Sequence, residues 1–93
     1  MEVNQETLDR VQTTVLVCLT QRLEVAEEAI AFESEVKELS KGNIYLFGHA
    51  LFDIHEFLGI KVQYQPMSEF NEFTTVEDVV KYFYSRMLDL QEE

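Results

Sequence analysis

The chain has 93 residues, of which 46% are hydrophobic, and its formal net charge at pH 7 is −11. This length suits one domain, residues 1–93, with one modest core, and the hydrophobic content argues against wholesale disorder. Only seven basic residues are present, and they are scattered. Nucleic acid and anionic membranes are therefore not expected as partners, because both are bound by clustered lysines and arginines.

The sequence also disfavours a membrane-spanning protein and a protein held together by disulfides or cysteine-bound zinc. The longest apolar run, VLVCL at residues 15–19, is far shorter than the about 20 residues that a membrane span needs. We also find no signal peptide, so we expect a cytoplasmic protein. The single cysteine, Cys18, excludes an internal disulfide and multi-cysteine zinc sites. Because Cys18 lies at core spacing, we expect a buried small hydrophobe and not a reactive thiol.

The first predicted helix covers residues 5–21. The polar residues 1–4 are expected to fray, except that Asn4 can cap the helix. One helical face is apolar and consists of Leu8, Val11, Val15, Cys18 and Leu19. Several β-branched residues here would also suit a strand, but strict alternation is absent, so the pattern favours a helix.

Residues 22–42 are acidic and have no clear period. Alanine and glutamate favour a helix, and no Gly or Pro interrupts the segment before Gly42. The apolar residues, however, do not keep a helical spacing. Two interpretations stay open: a helix, or a long and partly helical connection that places Ile30 and Phe32 in the core. Connections of this length are rarely without structure, so we expect some helical turns.

The second long helix is predicted from Asn43 to Gly59, and we expect the rest of the chain to pack on it. Asn43 can cap its start, and Gly59 can end it because a residue without Cβ enters the left-handed conformation at little cost. One apolar stripe recurs at steps of three and four and consists of Ile44, Phe47, Leu51, Ile54 and Leu58. Four further side chains are expected wholly or partly outside this stripe: Tyr45, His49, Phe52 and His55.

The last third of the chain predicts one short and one long helix. Ser68 can begin a short helical turn that carries Phe70 and Phe73. Thr74 followed by Glu77 has the spacing of a capping box. The long helix then runs to about residue 90 with an apolar stripe made up of Val76, Val79, Val80, Phe83, Met87 and Leu90. The fold class is therefore all-α, a bundle of three long helices and one short helix.

No grouping of residues predicts catalysis or a metal site. His49 and His55 are six residues apart, about 240° around a helix, so they do not face one ligand. We find no calcium-binding loop and no Ser–His–Asp or Cys–His grouping. The carboxylates are most simply a solvated acidic face. We therefore expect a protein that is not an enzyme and holds no metal.

Three short segments resemble the acyl carrier protein family. LEVAEEAI, residues 23–30, resembles the turn after the family's first helix. FLGIKV, residues 57–62, resembles the end of its second helix, and FTTVEDVVKYF, residues 73–83, is similar to the start of its last helix. In this order and spacing the resemblance covers nearly the whole chain. It implies an acyl-carrier-like four-helix bundle, right-handed and acidic.

One residue that the resemblance implies is missing. Carriers bear a serine, usually within Asp-Ser-Leu, whose hydroxyl is esterified by phosphopantetheine at the start of the second helix. Here Asn43, Ile44 and Tyr45 align with that triplet, and Ile44 has no hydroxyl. Ser40 is the nearest hydroxyl and is the alternative cofactor-binding residue if the helix begins earlier. Gly42 would then lie in a helix interior, which costs up to about 1 kcal/mol relative to Ala, so we favour Ser40 as a loop or capping residue.

The leading hypothesis is a carrier-like bundle that has no prosthetic arm and serves as a protein-binding module. Its partner, such as a biosynthetic enzyme, would have a basic and apolar surface, and an aromatic anchor would combine with acidic steering. The predicted partner-binding residues are Tyr45, His49, Phe52, Asp53 and Glu56. A homodimer through the same residues stays open. The alternatives are a working acyl or aminoacyl carrier modified by phosphopantetheine at Ser40, and an unrelated small acidic helical adaptor.

Overall fold

The computed structural model describes residues 4–91, and this part of the chain is helical and contains no β-strand. The three long helices are α1 (Gln5–Leu23), α3 (Ile44–Leu58) and α5 (Val76–Gln91), and the two four-residue helices are α2 (Val36–Leu39) and α4 (Glu69–Glu72). A 3-10 turn, Glu27–Ala29, follows α1. The predicted all-α class is confirmed, with one more short helix than expected. None of these helices is long and apolar enough to cross a membrane.

The starts of α1 and α3 are set by two asparagines. The Asn4 side-chain oxygen accepts a hydrogen bond from the Thr7 N–H at 3.1 Å. The Asn43 side-chain oxygen accepts from the N–H groups of Tyr45 and Leu46 at 3.1 and 3.3 Å. Each asparagine thus satisfies backbone donors that have no partner within the helix. Both predicted caps are confirmed. Of the residues expected to fray, Asn4 alone lies within the described range.

The end of α3 is set by Gly59, whose φ of 71° is left-handed. The Gly59 N–H donates to the carbonyl of Glu56, and the Ile60 N–H donates to the carbonyl of His55 at 2.9 Å. This pair of bonds is the Schellman arrangement, which satisfies the last carbonyls of a helix and turns the chain sharply. The predicted end of this helix is confirmed, and the turn places Ile60 in the core.

The core is built around the inner face of α3. Phe47 is fully buried, stacks on Phe70 with ring centroids 5.6 Å apart, and meets Phe73 edge-on at 6.2 Å. Ile44, the first residue of the predicted stripe, is only half-buried. The buried residues of α3 are Phe47, Ala50, Leu51, Ile54, His55 and Leu58. The stripe is confirmed from Phe47 onward, and the buried face is wider than predicted.

Helices α1 and α3 run in opposite directions. Arg22, near the end of α1, is ion-paired with Asp53 of α3. Val17, more than a turn earlier in α1, lines one small cavity with Phe57, which lies a turn later in α3. Four residues of the predicted apolar face of α1 are buried in the core: Val11, Val15, Cys18 and Leu19.

Helix α5 lies beside α3 and runs in the same direction. Phe47 near the start of α3 meets Phe73 just before α5, and His55 near the end of α3 meets Phe83 within α5. The predicted apolar stripe of α5 is buried except at Leu90 in the last turn, which is 44% exposed. The stripe was therefore predicted one turn too long.

The segment between α1 and α2 is a connection with one 3-10 turn, so the helix interpretation of residues 22–42 is wrong and the partly helical connection is confirmed. Backbone hydrogen bonds hold it to the start of α5. The Val36 N–H donates to the Thr74 carbonyl, and the Val76 N–H donates to the Ser34 carbonyl, both at 3.0 Å. Because these backbone bonds hold the connection in place, its apolar residues do not need a helical spacing.

Phe32 is not in the core, contrary to prediction. Its side chain is 47% exposed, although its carbonyl accepts a hydrogen bond from the Glu77 N–H at 2.9 Å. The backbone contact fixes this stretch and leaves the ring at the rim of a cleft between α1 and α5. Ile30 is half-buried and packs against the core, so that placement is confirmed in part.

The capping box of α5 lies one residue later than predicted. It is formed by Thr75 and Asp78, not by Thr74 and Glu77. The Asp78 carboxylate accepts from the N–H groups of Thr75 and Thr74 at 3.1 Å, and the Thr75 hydroxyl oxygen accepts from the Asp78 N–H at 3.3 Å. The two backbone donors hold the pKa of Asp78 below its usual range. This box starts α5 at Val76.

The Phe47→Ala variant tests the central position of α3. We expect it to lower the free energy of unfolding by about 3–5 kcal/mol, because it leaves a cavity among stacked aromatic rings. Phe57→Ala on the same helix is the matched control, since Phe57 is 68% exposed, and should cost less than about 1 kcal/mol. Urea denaturation measures both. If Phe47→Ala lowers the free energy of unfolding by less than about 1 kcal/mol, the Phe47 side of α3 does not face the core.

Candidate functional site: an apolar groove beside helix α3

Four residues of α3 form an exposed face that we name the outer face: Tyr45, His49, Phe52 and Glu56. Their spacing of four, three and four residues places them in one row along the helix. The side chains of Tyr45 and Phe52 are 67% and 51% exposed. The helix therefore presents two large aromatic side chains to solvent, with a histidine and a glutamate in the same row.

The chain that follows α3 runs beside the outer face and encloses a groove of about 570 Å³. Val62 and Met67 of this segment are themselves about half exposed. We name this feature the groove, and its lining residues are Tyr45, Gly48, His49, Phe52, Val62, Tyr64, Pro66, Met67 and Glu69. Three of the predicted partner-binding residues, Tyr45, His49 and Phe52, are thus brought together in one mostly apolar depression.

Glu69 places a carboxylate in this apolar surrounding. The residue is only 5% exposed. Its Oε2 accepts a hydrogen bond from the Met67 N–H at 2.9 Å. Its Oε1 lies against α3 at Gly48, where an added Cβ would be 3.3 Å from this oxygen. Gly48 therefore lets the carboxylate approach the helix backbone closely, which explains a glycine inside a helix where it disfavours helix formation.

The turn at Met67 depends on the same carboxylate. Met67 has a φ of 70°, a left-handed conformation that costs a residue with a Cβ about 1 kcal/mol. The hydrogen bond from the Met67 N–H to Glu69 holds this turn and keeps the Met67 side chain at the groove. Sequence reasoning missed Glu69, and the glycine in the middle of α3 was the signal that could have indicated a close approach.

The two predicted acidic residues lie outside the groove. Asp53 faces α1, where its carboxylate accepts hydrogen bonds from Arg22 Nε at 2.5 Å and Nη2 at 3.2 Å. Its charge is therefore used within the chain to join α1 to α3. Glu56 is exposed on the outer face, one turn beyond Phe52, and does not line the groove. It adds negative charge at one end of the surface.

His55 is buried, contrary to prediction, with 2% of its surface exposed. Nδ1 donates to the Leu51 carbonyl at 2.7 Å, since a carbonyl only accepts, and Nε2 then accepts from the Tyr82 hydroxyl at 3.1 Å. The ring also meets Phe83 edge-on. Burial lowers the pKa of His55. Residue spacing within α3 does not predict this burial, because Tyr82 and Phe83 of α5 cover this side of the helix.

The residues considered for covalent chemistry are both buried. Ser40 is 3% exposed, and its hydroxyl donates to the Val36 carbonyl at 2.8 Å. Cys18 is buried as predicted, and this burial raises the pKa of its thiol to about 11. Neither group is placed as a nucleophile facing solvent.

Within residues 4–91, no group of three or more His, Cys, Asp or Glu side chains is placed to hold a metal ion. His49 lies on the outer face and His55 in the core, so the two histidines do not share a ligand. Comparisons of the chain with protein-family models, with curated proteins and with solved structures found no match. The function must therefore be argued from the groove and from the residues that line it.

The buried imidazole predicts a pH-dependent stability. Because the pKa of folded His55 lies below its ordinary value of 6.5, the unfolded chain binds more protons between these two pKa values. The free energy of unfolding therefore decreases as the pH falls below about 6.5, and the contribution is fully present above it.

Urea denaturation at pH 7.5 and at pH 5.0 checks this effect. His55→Gln should remove most of the pH dependence, whereas His49→Gln, a change at the exposed histidine of the same helix, should retain it. An equal pH dependence in the parent protein and in His55→Gln would contradict the buried, neutral ring.

Proposed function

We propose that the chain is a non-catalytic, acyl-carrier-like protein without a prosthetic arm that binds a partner protein through the groove and the outer face of α3. The observation that carries this proposal is the gathering of four exposed apolar side chains, Tyr45, Phe52, Val62 and Met67, around one depression. Single exposed apolar residues are normal, but a contiguous apolar patch is typical of an interaction surface.

The order and directions of the helices support the carrier-like part of the proposal. A central helix that runs opposite to the first, with the last helix beside it, is the arrangement that the family resemblance implies. Ile44, aligned with the modified serine of carriers, is the first residue of α3. The position where an arm would be attached thus coincides with the helix start, and its side chain has no hydroxyl. This combination supports a carrier-like scaffold used for binding alone.

The charge of the chain supports a basic partner. The net charge is −11, and the groove is lined by no lysine or arginine. A partner surface with basic residues around an apolar centre would be attracted at long range and held at short range by the aromatic side chains. Tyr45 and Phe52 are the expected anchors, because exposed aromatic residues contribute most of the binding energy in many interfaces.

Substitution of both anchors tests partner binding. The double variant Tyr45→Ala/Phe52→Ala should fold normally and should recover at least about tenfold less of the parent protein's main partner from extracts of the native host, because hot-spot truncations cost about 2 kcal/mol or more. Phe57→Ala is the matched control, since it removes an exposed aromatic ring from another side of the same helix, next to α1 and outside the groove.

Recovery of the same partner with the double variant, or its loss with Phe57→Ala, would place the interface elsewhere. Sedimentation of the purified chain covers the homodimer alternative. A dimer that the double variant dissociates would show that the groove binds a second copy instead of another protein.

An intact-mass measurement tests the absence of a prosthetic arm. After incubation with coenzyme A and a broad-specificity phosphopantetheinyl transferase, we expect an unchanged mass, because the Ser40 hydroxyl is buried and bonded to a backbone carbonyl. A functional carrier protein in the same reaction is the positive control. A gain of one phosphopantetheine group that Ser40→Ala abolishes would establish the alternative function, a carrier modified at Ser40.

A further inference from the structure

The Glu69 carboxylate is the one charged group at the floor of the groove, and its two oxygens differ. Oε2 is occupied by the Met67 N–H, whereas no hydrogen bond to Oε1 is formed by any residue in the described part of the chain. No cationic side chain in that part is ion-paired with Glu69. Between residues 4 and 91, the only side-chain nitrogen or oxygen that is both buried and without a hydrogen-bond partner is Arg86 Nε. Because Oε1 also has no hydrogen-bond partner, it must be in contact with solvent.

A carboxylate in such surroundings favours a cationic ligand. Charged groups in apolar surroundings are normally paired, and an unpaired carboxylate oxygen gains most from a charged donor. The aromatic rings that line the groove, Tyr45, Phe52 and Tyr64, attract a cation through their faces and also accept an aliphatic chain. A ligand with an apolar stem and a positive end would therefore pack its stem on the aromatic rings and pair its charge with the Glu69 carboxylate.

We propose that the groove receives a lysine side chain of the partner, with its ammonium group donating a hydrogen bond to Glu69 Oε1. Lysine fits better than arginine because a single free oxygen offers one acceptor, whereas a guanidinium forms its strongest contacts with both oxygens of a carboxylate. The four methylenes of lysine pack along the aromatic walls while the charged end reaches the floor. This inference rests on the proposed function and names the group that the groove selects.

Small analogues of side chains test this selectivity directly. Two-dimensional ¹⁵N NMR titrations at constant ionic strength would compare n-butylammonium, n-butylguanidinium and 1-butanol as probes. We expect n-butylammonium to shift the amide signals of Gly48, Met67 and Glu69 and to bind at least fivefold more tightly than 1-butanol. It should also bind more tightly than n-butylguanidinium.

Two glutamate variants identify the responsible carboxylate. Glu69→Gln keeps an oxygen for the Met67 N–H and should reduce the preference for n-butylammonium over 1-butanol to less than twofold. Glu72→Gln, an exposed change in the same short helix, is the matched control and should keep the preference. If Glu69→Gln fails to fold, Gly48→Ala serves instead. Its Cβ would lie 3.3 Å from Oε1 and force this oxygen to shift by a few tenths of an ångström, which should weaken n-butylammonium binding at least twofold.

Equal binding of n-butylammonium and 1-butanol to the parent protein would overturn the lysine proposal and indicate an apolar anchor instead. A preference retained in Glu69→Gln, or no binding of either probe at the groove, would also overturn it. None of these outcomes decides the proposed function, which is judged by partner recovery with the Tyr45→Ala/Phe52→Ala variant.

Discussion

The burial of one side of α3 is the constraint on which the rest of the structure depends. Phe47 packs against the rings of Phe70 in α4 and Phe73 just before α5, and the same helix packs on α1 through its inner face. A helix of this kind buries one side and leaves the other to solvent. The packing of the inner face therefore sets the orientation of α3, and with it the exposure of Tyr45 and Phe52 on the outer face.

The parts of the fold that depend on local chemistry could be predicted from the sequence. Asn43, Gly59 and the spacing of apolar residues between them defined α3, because caps and periodicity act within a few residues. The errors arose where distant segments decide the outcome. His55 is buried because Tyr82, 27 positions away, covers it, and Phe32 is exposed because backbone pairing with α5 fixes that stretch.

Part of the candidate site could also be predicted from the sequence, and part could not. The outer face follows from helical spacing and could be predicted, as could its aromatic character. The groove could not, because it forms only when residues 62–69 fold back against α3 and bring Glu69 next to Gly48. Asp53 was predicted to meet a partner, but its ion pair with Arg22 shows that a carboxylate on a helix surface can instead join two helices. Sequence spacing predicted which residues share a face of α3 but not which residues from other segments contact that face.

Photo-crosslinking from the groove tests the central claim, that this face of α3 is a partner-binding surface, most directly. The photoreactive residue p-benzoylphenylalanine would replace Phe52 in the protein expressed in its native host, and Phe57 in a parallel experiment. The account predicts one discrete protein adduct from position 52, lost when Tyr45 is changed to alanine, and no such adduct from position 57. Equal adducts from both positions, or none from position 52, would contradict it.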